Sequence, residues 1–149
     1  MKTKKQIVVT DWTKNKPKKG SFLKLTLSSE QRRILRGKRI TDCSREIILQ
    51  LPRIGKLKDG DVLKTDHSEL YINIIAKKEN LLEVSSKSKL ELIKTAYHLG
   101  NRHVAVEICR DVILIRNDYL IEEMLKIFNV EVLNTQKKFF PELGAHDHK

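Results

Sequence analysis

The hydrophobic period of this chain changes once, close to residue 79, and that change constrains the fold more than any other feature. Before it, apolar residues alternate. Leu23, Leu25 and Leu27 form one such set, and Ile47, Leu49 and Leu51 another. Residues 70–76 make a third run, and Ile7-Val8-Val9 is a short β-branched one. Alternation places one face of a strand on a core and the other in water. Gly20, Pro52, Gly55 and Lys58-Asp59-Gly60-Asp61 punctuate these runs as turns. Residues 31–36 fit either a helix or a strand. Residues 1–78 are therefore expected to form an antiparallel β domain.

Beyond the polar stretch Lys77-Lys78-Glu79-Asn80 the period lengthens. A short strand is expected over 81–85. Ser88 then stands three residues before Glu91, the spacing of a capping box, in which a hydroxyl and a carboxylate each bond the other residue's amide. The helix that follows carries Leu92, Ile93, Ala96 and Tyr97 on one face, with Glu91, Lys94, Thr95 and His98 opposite. Gly100 suits a left-handed cap at its end. Val104, Val106 and Ile108 alternate, residues 112–115 are continuously apolar, and Asp118 can cap a second helix that buries Leu120, Ile121, Met124, Leu125 and Phe128. A strand over 130–133 closes the unit. The order β-α-β-β-α-β over 79–136 is the ferredoxin-like arrangement, two split βαβ halves on one antiparallel sheet. The fold class is α+β, with a flexible tail over 137–149.

Function is bounded first by charge. The chain has 30 Lys and Arg against 19 Asp and Glu, a net +11, which favours polyanions or acidic protein partners. Its two cysteines, Cys43 and Cys109, form no close pair, which fits a reducing compartment. The N-terminus lacks the apolar run of a secretory signal, and no segment approaches the roughly 18 apolar residues of a membrane span. A cytoplasmic protein without membrane association is expected. There is no Gly-rich phosphate loop, no G-x-S-x-G, no H-E-x-x-H and no C-x-x-C, so the residues carry no enzyme reading.

Histidine is what remains. Two of the five histidines, His98 and His103, bracket the helix end, and His146 and His148 flank Asp147 near the C-terminus. The C-terminal end of a helix carries partial negative charge, which favours a cation beside His103. Imidazole is a good ligand for nickel, copper and zinc. One histidine binds metal weakly, but a twofold dimer doubles it across the axis. His98 and His103 diverge by about 140° on a continuous helix and do not chelate as an i, i+4 pair. His98 falls on the charged face and is at most a minor ligand. His67 reads as a turn residue, and Cys109 as a buried structural cysteine rather than a soft ligand. The tail histidines can swing onto a metal held elsewhere.

The run Tyr97-His98-Leu99-Gly100-Asn101-Arg102-His103 resembles the signature of the urease accessory nickel chaperones, the UreE family. Gly60-Asp61-Val62-Leu63, the β domain followed by a ferredoxin-like one, and the terminal histidines extend the likeness over nearly the whole chain. The resemblance implies a homodimer that binds Ni2+ and passes it, through the urease accessory GTPase, toward the urease assembly. It implies that His103 meets its twin at the dimer interface, that His146 and His148 supplement it, and that the N-terminal domain binds a partner or peptide. Gly100, Asn101 and Arg102 are then expected to shape the turn and the interface. Some members carry a histidine pair flanking an aspartate before the second helix. Here those positions are Asn117, Asp118 and Tyr119, so those side sites are not expected. Cu2+ and Zn2+ overlap Ni2+ in ligand preference, so nickel rests on the resemblance alone. Two rivals remain. One is an RNA-binding module of RRM topology, disfavoured because strands 81–85 and 111–116 lack the stacking aromatics such domains use. The other is an assembly scaffold in which the histidines are incidental.

Overall fold

The structure, a computed structural model, describes residues 6–144. It is α+β, with two helices and two sheets, and divides into two compact units, Met1–Lys77 and Lys78–Lys149.

In the first unit, β1 (Ile7–Trp12), β2 (Ser21–Leu27), β3 (Arg36–Ile40), β4 (Glu46–Gln50), β5 (Val62–Thr65) and β6 (Leu70–Ala76) form one sheet in the order β2-β6-β5-β1-β4-β3. The inward set of each alternating run makes the core: Val9, Leu25, Leu27, Ile47, Leu49, Leu63, Ile72 and Ile74 are all buried. The sheet is not purely antiparallel, as the alternation had suggested. β1 pairs with β4 and β2 with β6 in parallel, and the other three pairings are antiparallel. Alternation sets which face of a strand is buried, and parallel neighbours meet that requirement equally well. The segment from β2 to β3 supplies the crossover that a parallel β1–β4 pair needs. The ambiguous stretch at 31–36 becomes a single 3-10 turn, Gln31–Arg33, leading into β3. The turn between β3 and β4 returns to β2: Asp42 accepts from the Thr26 amide at 3.1 Å and the Thr26 hydroxyl at 2.7 Å, while its own amide donates to the Lys24 carbonyl. These bonds occupy groups on an otherwise open sheet edge.

The second unit runs β7 (Lys78–Ser85), α1 (Lys89–Asn101), β8 (Val106–Ile108), β9 (Ile113–Arg116), α2 (Tyr119–Leu125) and β10 (Glu131–Lys138). Its sheet order is β10-β7-β9-β8 with every pairing antiparallel. Leu82, Val84, Ile113 and Ile115 pack with Leu99 of α1 and Leu125 of α2. Asp118 caps α2, accepting from the Leu120 and Ile121 amides.

The expected flexible tail over 137–149 is corrected for residues 137–142, while residues 145–149 lie outside the described ones. β10 pairs with β7 over eight residues, through Lys137↔Glu79 and Lys138↔Lys78. Phe139 is fully buried, covering Leu81 and Leu114 on the sheet face opposite the helices. The Arg116 guanidinium lies 5.3 Å from its ring centroid. A sheet face left bare by its helices must be covered, and Phe139 does so. Polar β10 residues hid this in the sequence, because the strand needs only one buried aromatic at its end.

Candidate metal centre

Helix α1 sets the geometry of the candidate site. Its start is half of a capping box. The Ser88 hydroxyl accepts from the Glu91 amide at 3.2 Å, but the Ser88 amide donates to the Ser86 hydroxyl. Its buried face differs from the one expected. Leu92, Ala96 and Leu99 pack inward with Thr95, which is fully buried and donates its hydroxyl to the Glu91 carbonyl at 2.7 Å. That i−4 bond lets a threonine enter the core without an orphaned donor. Ile93 and Tyr97, expected inside, are 65% and 68% exposed, and Leu90 is 59% exposed. These three residues, at i, i+3 and i+7, form an apolar stripe on one face of the helix. In α2, Leu120 is likewise exposed rather than buried, as is Tyr119. The signal was present in the sequence: α1 has more apolar positions than one sheet face can cover.

The helix does not end at Gly100. Gly100 is helical, α1 continues to Asn101, and Arg102 is the cap. The left-handed residue is His103, with φ of 59°. The His103 amide donates to the Gly100 carbonyl at 3.0 Å, and the Val104 amide to the Leu99 carbonyl at 3.0 Å. These two bonds define a Schellman motif, and Leu99 and Val104 supply the apolar contact that accompanies it. Glycine is the usual occupant of the position His103 holds, because an L side chain there costs roughly 1–2 kcal/mol. His103 is exposed. The turn thus places His103 at the negative end of the α1 dipole.

The other candidates fall as follows. His98 is exposed on the last turn of α1, its ring centroid 5.0 Å from Phe128 and 5.6 Å from Tyr97. Asn101 and Arg102 form the turn through backbone bonds, the Arg102 amide reaching the His98 and Leu99 carbonyls. Asn117 donates to Asn134 and Asp118 is occupied as a helix cap. His146 and His148 lie outside the described residues. Among the described residues of one chain, no three His, Cys, Asp or Glu side chains gather as a metal cluster.

Cys109 is half-buried against the Leu81, Leu114 and Phe139 cluster. Its thiol lies 3.5 Å from a Glu107 oxygen. Burial pushes this thiol above its ordinary range, and the Glu107 hydrogen bond and charge add to the effect. A thiol held protonated is a poor metal ligand. Glu107 also accepts from the Phe140 amide, and Glu142 bonds both Val106 and Ile108, so residues 140–142 are tied along β8. No helix among the described residues is long and apolar enough to cross a membrane.

Comparison with known proteins adds the family. The profile described as UreE urease accessory protein, C-terminal domain, matches residues 79–149. A urease accessory protein UreE from Prochlorococcus marinus (strain MIT 9215) is 70% identical over 149 residues, covering all of both chains. One from Prochlorococcus marinus subsp. pastoris (strain CCMP1986 / NIES-2087 / MED4) is 55% identical over 149 residues, covering 100% of this chain and 97% of the relative. One from Synechococcus sp. (strain CC9311) is 43% identical over 126 residues, covering 85% of this chain and 81% of the relative.

Proposed function

Because the chain belongs to the UreE family of urease accessory proteins, with a role in urease maturation, we propose that it is a nickel metallochaperone working as a homodimer in the cytoplasm. In this reading it is not an enzyme. It binds Ni2+ between two copies of His103 and yields it, through the urease accessory GTPase, to the urease assembly.

The observation that carries this reading is the placement of His103. An exposed histidine occupies a left-handed turn position where glycine is the relaxed choice. Strained backbone of this kind clusters at functional sites, and of the left-handed non-glycine residues Ser44, Glu69 and His103 only His103 brings an imidazole to a helix end. The exposed stripe of Leu90, Ile93 and Tyr97 supports a second copy as its cover, since it runs along α1 toward His103. We read the second unit as a ferredoxin-like metal-binding and dimerisation domain. His146 and His148 complete the ligand set in this scheme. Glu142 is bonded to Val106, three residues past His103, and His146 is four residues past Glu142. At ~3.3–3.6 Å per fully extended residue these spans are at most about 11 Å and 14 Å, so the chain length permits the contact.

The chemistry follows from ligand count. Two imidazoles leave nickel with positions for water and tail histidines, and such a shell exchanges ligands, as a carrier must. The imidazole lone pair is also where a proton binds, so acidification weakens the site. Calorimetric titration of nickel into the wild type and His103→Ala tests the reading. The variant is expected to lose the tight site while staying folded. Undiminished tight binding by His103→Ala overturns it.

A further inference from the structure

The net charge of this protein is not shared between its units. Residues 1–77 contain 19 Lys and Arg against 8 Asp and Glu, and residues 78–149 contain 11 of each. The whole net +11 therefore belongs to the unit that lacks His103. A neutral second unit repels a divalent cation least, and the excess charge of the first unit is left to serve some other contact.

Part of that charge is concentrated. The connection between β1 and β2 presents Lys14, Lys16, Lys18 and Lys19, all exposed. It ends at Gly20, which has φ of 128° and abuts the Tyr71 ring so closely that a Cβ would lie 2.8 Å from it. Tyr71 is in register with Phe22 on one side and Lys64 on the other. Lys24 shares the Phe22 face of β2, because the side-chain period of a strand is two. The basic connection and the β2-β6-β5 face thus form one surface. None of these six lysines has a carboxylate partner among the described residues, whereas Lys38 elsewhere in the unit pairs with Glu46 at 3.0 Å. A groove of about 310 Å³ beside Lys24, lined by Phe22, Leu23, Asp42 and Cys43, adds an apolar foothold.

We propose that the N-terminal unit is an electrostatic docking module for an acidic protein surface, with Lys14, Lys16, Lys18, Lys19, Lys24 and Lys64 as its contact set. A protein partner fits better than a nucleic acid for two reasons. Asp11, in register with Lys64, and Asp42, bonded beside Lys24, interrupt the positive surface. A phosphate backbone needs a continuous positive track, while a protein face can match an interleaved pattern. In addition, Phe22 and Tyr71 stack on each other with centroids 5.5 Å apart, and so offer bases fewer free ring faces. The inference stands on charge and register, and does not depend on metal at His103.

The test uses the full chain and two variants with equal change of charge. One is Lys16→Glu/Lys18→Glu/Lys19→Glu, and the other is Lys78→Glu/Lys87→Glu/Lys89→Glu in the second unit. Fluorescence anisotropy reads binding of labelled poly-glutamate, and of an oligodeoxythymidylate of equal charge, at about 0.15 M salt, where screening extends about 8 Å. Poly-glutamate is expected to bind, the first variant to lose roughly tenfold or more in affinity, and the second to lose less than about twofold. Nickel titration of the first variant is expected to match the wild type. Should the triple variant fail to fold, Lys24→Glu/Lys64→Glu is expected to show the same loss. Equal losses in both units, tighter binding of the oligonucleotide, or no binding of poly-glutamate would each overturn the proposal.

Discussion

Replacing His103 with glycine is expected to stabilise the metal-free protein while abolishing its tight nickel site. His103 holds φ of 59° at the end of α1, fixed by the His103–Gly100 and Val104–Leu99 bonds. A left-handed L residue costs roughly 1–2 kcal/mol relative to its relaxed conformation. Glycine removes that strain but makes the unfolded chain more disordered, a penalty of about 0.5–1 kcal/mol. The difference centres on a gain of about 0.75 kcal/mol, within about 0–1.5 kcal/mol. For a unit of this size the central value corresponds to a rise of about 3–6 °C in midpoint temperature. Urea or thermal unfolding with a chelator present, followed by circular dichroism, reads the change. With nickel added the order should reverse, because a ligand that binds only the folded state stabilises it by RT ln(1 + L/Kd), with L the free ligand concentration. A glycine variant less stable than wild type without metal would refute the account of strain at this turn. A glycine variant stabilised by nickel as much as the wild type would refute the role of the imidazole.

Two further substitutions probe the second unit. Phe139→Ala is expected to destabilise it by about 3–5 kcal/mol, because it empties a fully buried aromatic site against Leu81 and Leu114; a free tail would give no change in a denaturant curve. Cys109 alkylation in a Cys43→Ser background is expected to be slow at about pH 8 and to quicken as pH rises, since burial and Glu107 hold the thiol protonated. Glu107→Gln removes a carboxylate charge, lowers the thiol's proton affinity, and should speed alkylation at fixed pH; an unchanged or slower rate, followed by mass spectrometry, would count against that cause.

Local rules read well from the sequence where one residue decides the outcome. Asp118 capping α2 and Ser88 opening α1 needed only a side-chain oxygen at the right offset. Strands with strict alternation, such as β2 and β6, were visible for the same reason. What was not legible depends on distant neighbours. Ile7 pairing in parallel with Ile47 leaves no local mark. The rotation of α1 was undetermined because apolar residues at 90, 92, 93, 96, 97 and 99 span too wide an arc, and Thr95 could enter the core only through its bond to the Glu91 carbonyl. The helix end departs from local expectation because glycine is the usual left-handed residue. Here Gly100 stays helical and a histidine takes the strained position, so the departure from local preference falls on the candidate metal ligand itself.

The central claim is that two copies of His103 hold one nickel ion between them. Native mass spectrometry of the full chain with nickel measures protomer number and bound metal together. The account predicts a dimer carrying one tightly held Ni2+, with weaker further ions, and a His103→Ala dimer that has lost the tight one. A nickel-loaded monomer, or a His103→Ala dimer that keeps its tight ion, contradicts it.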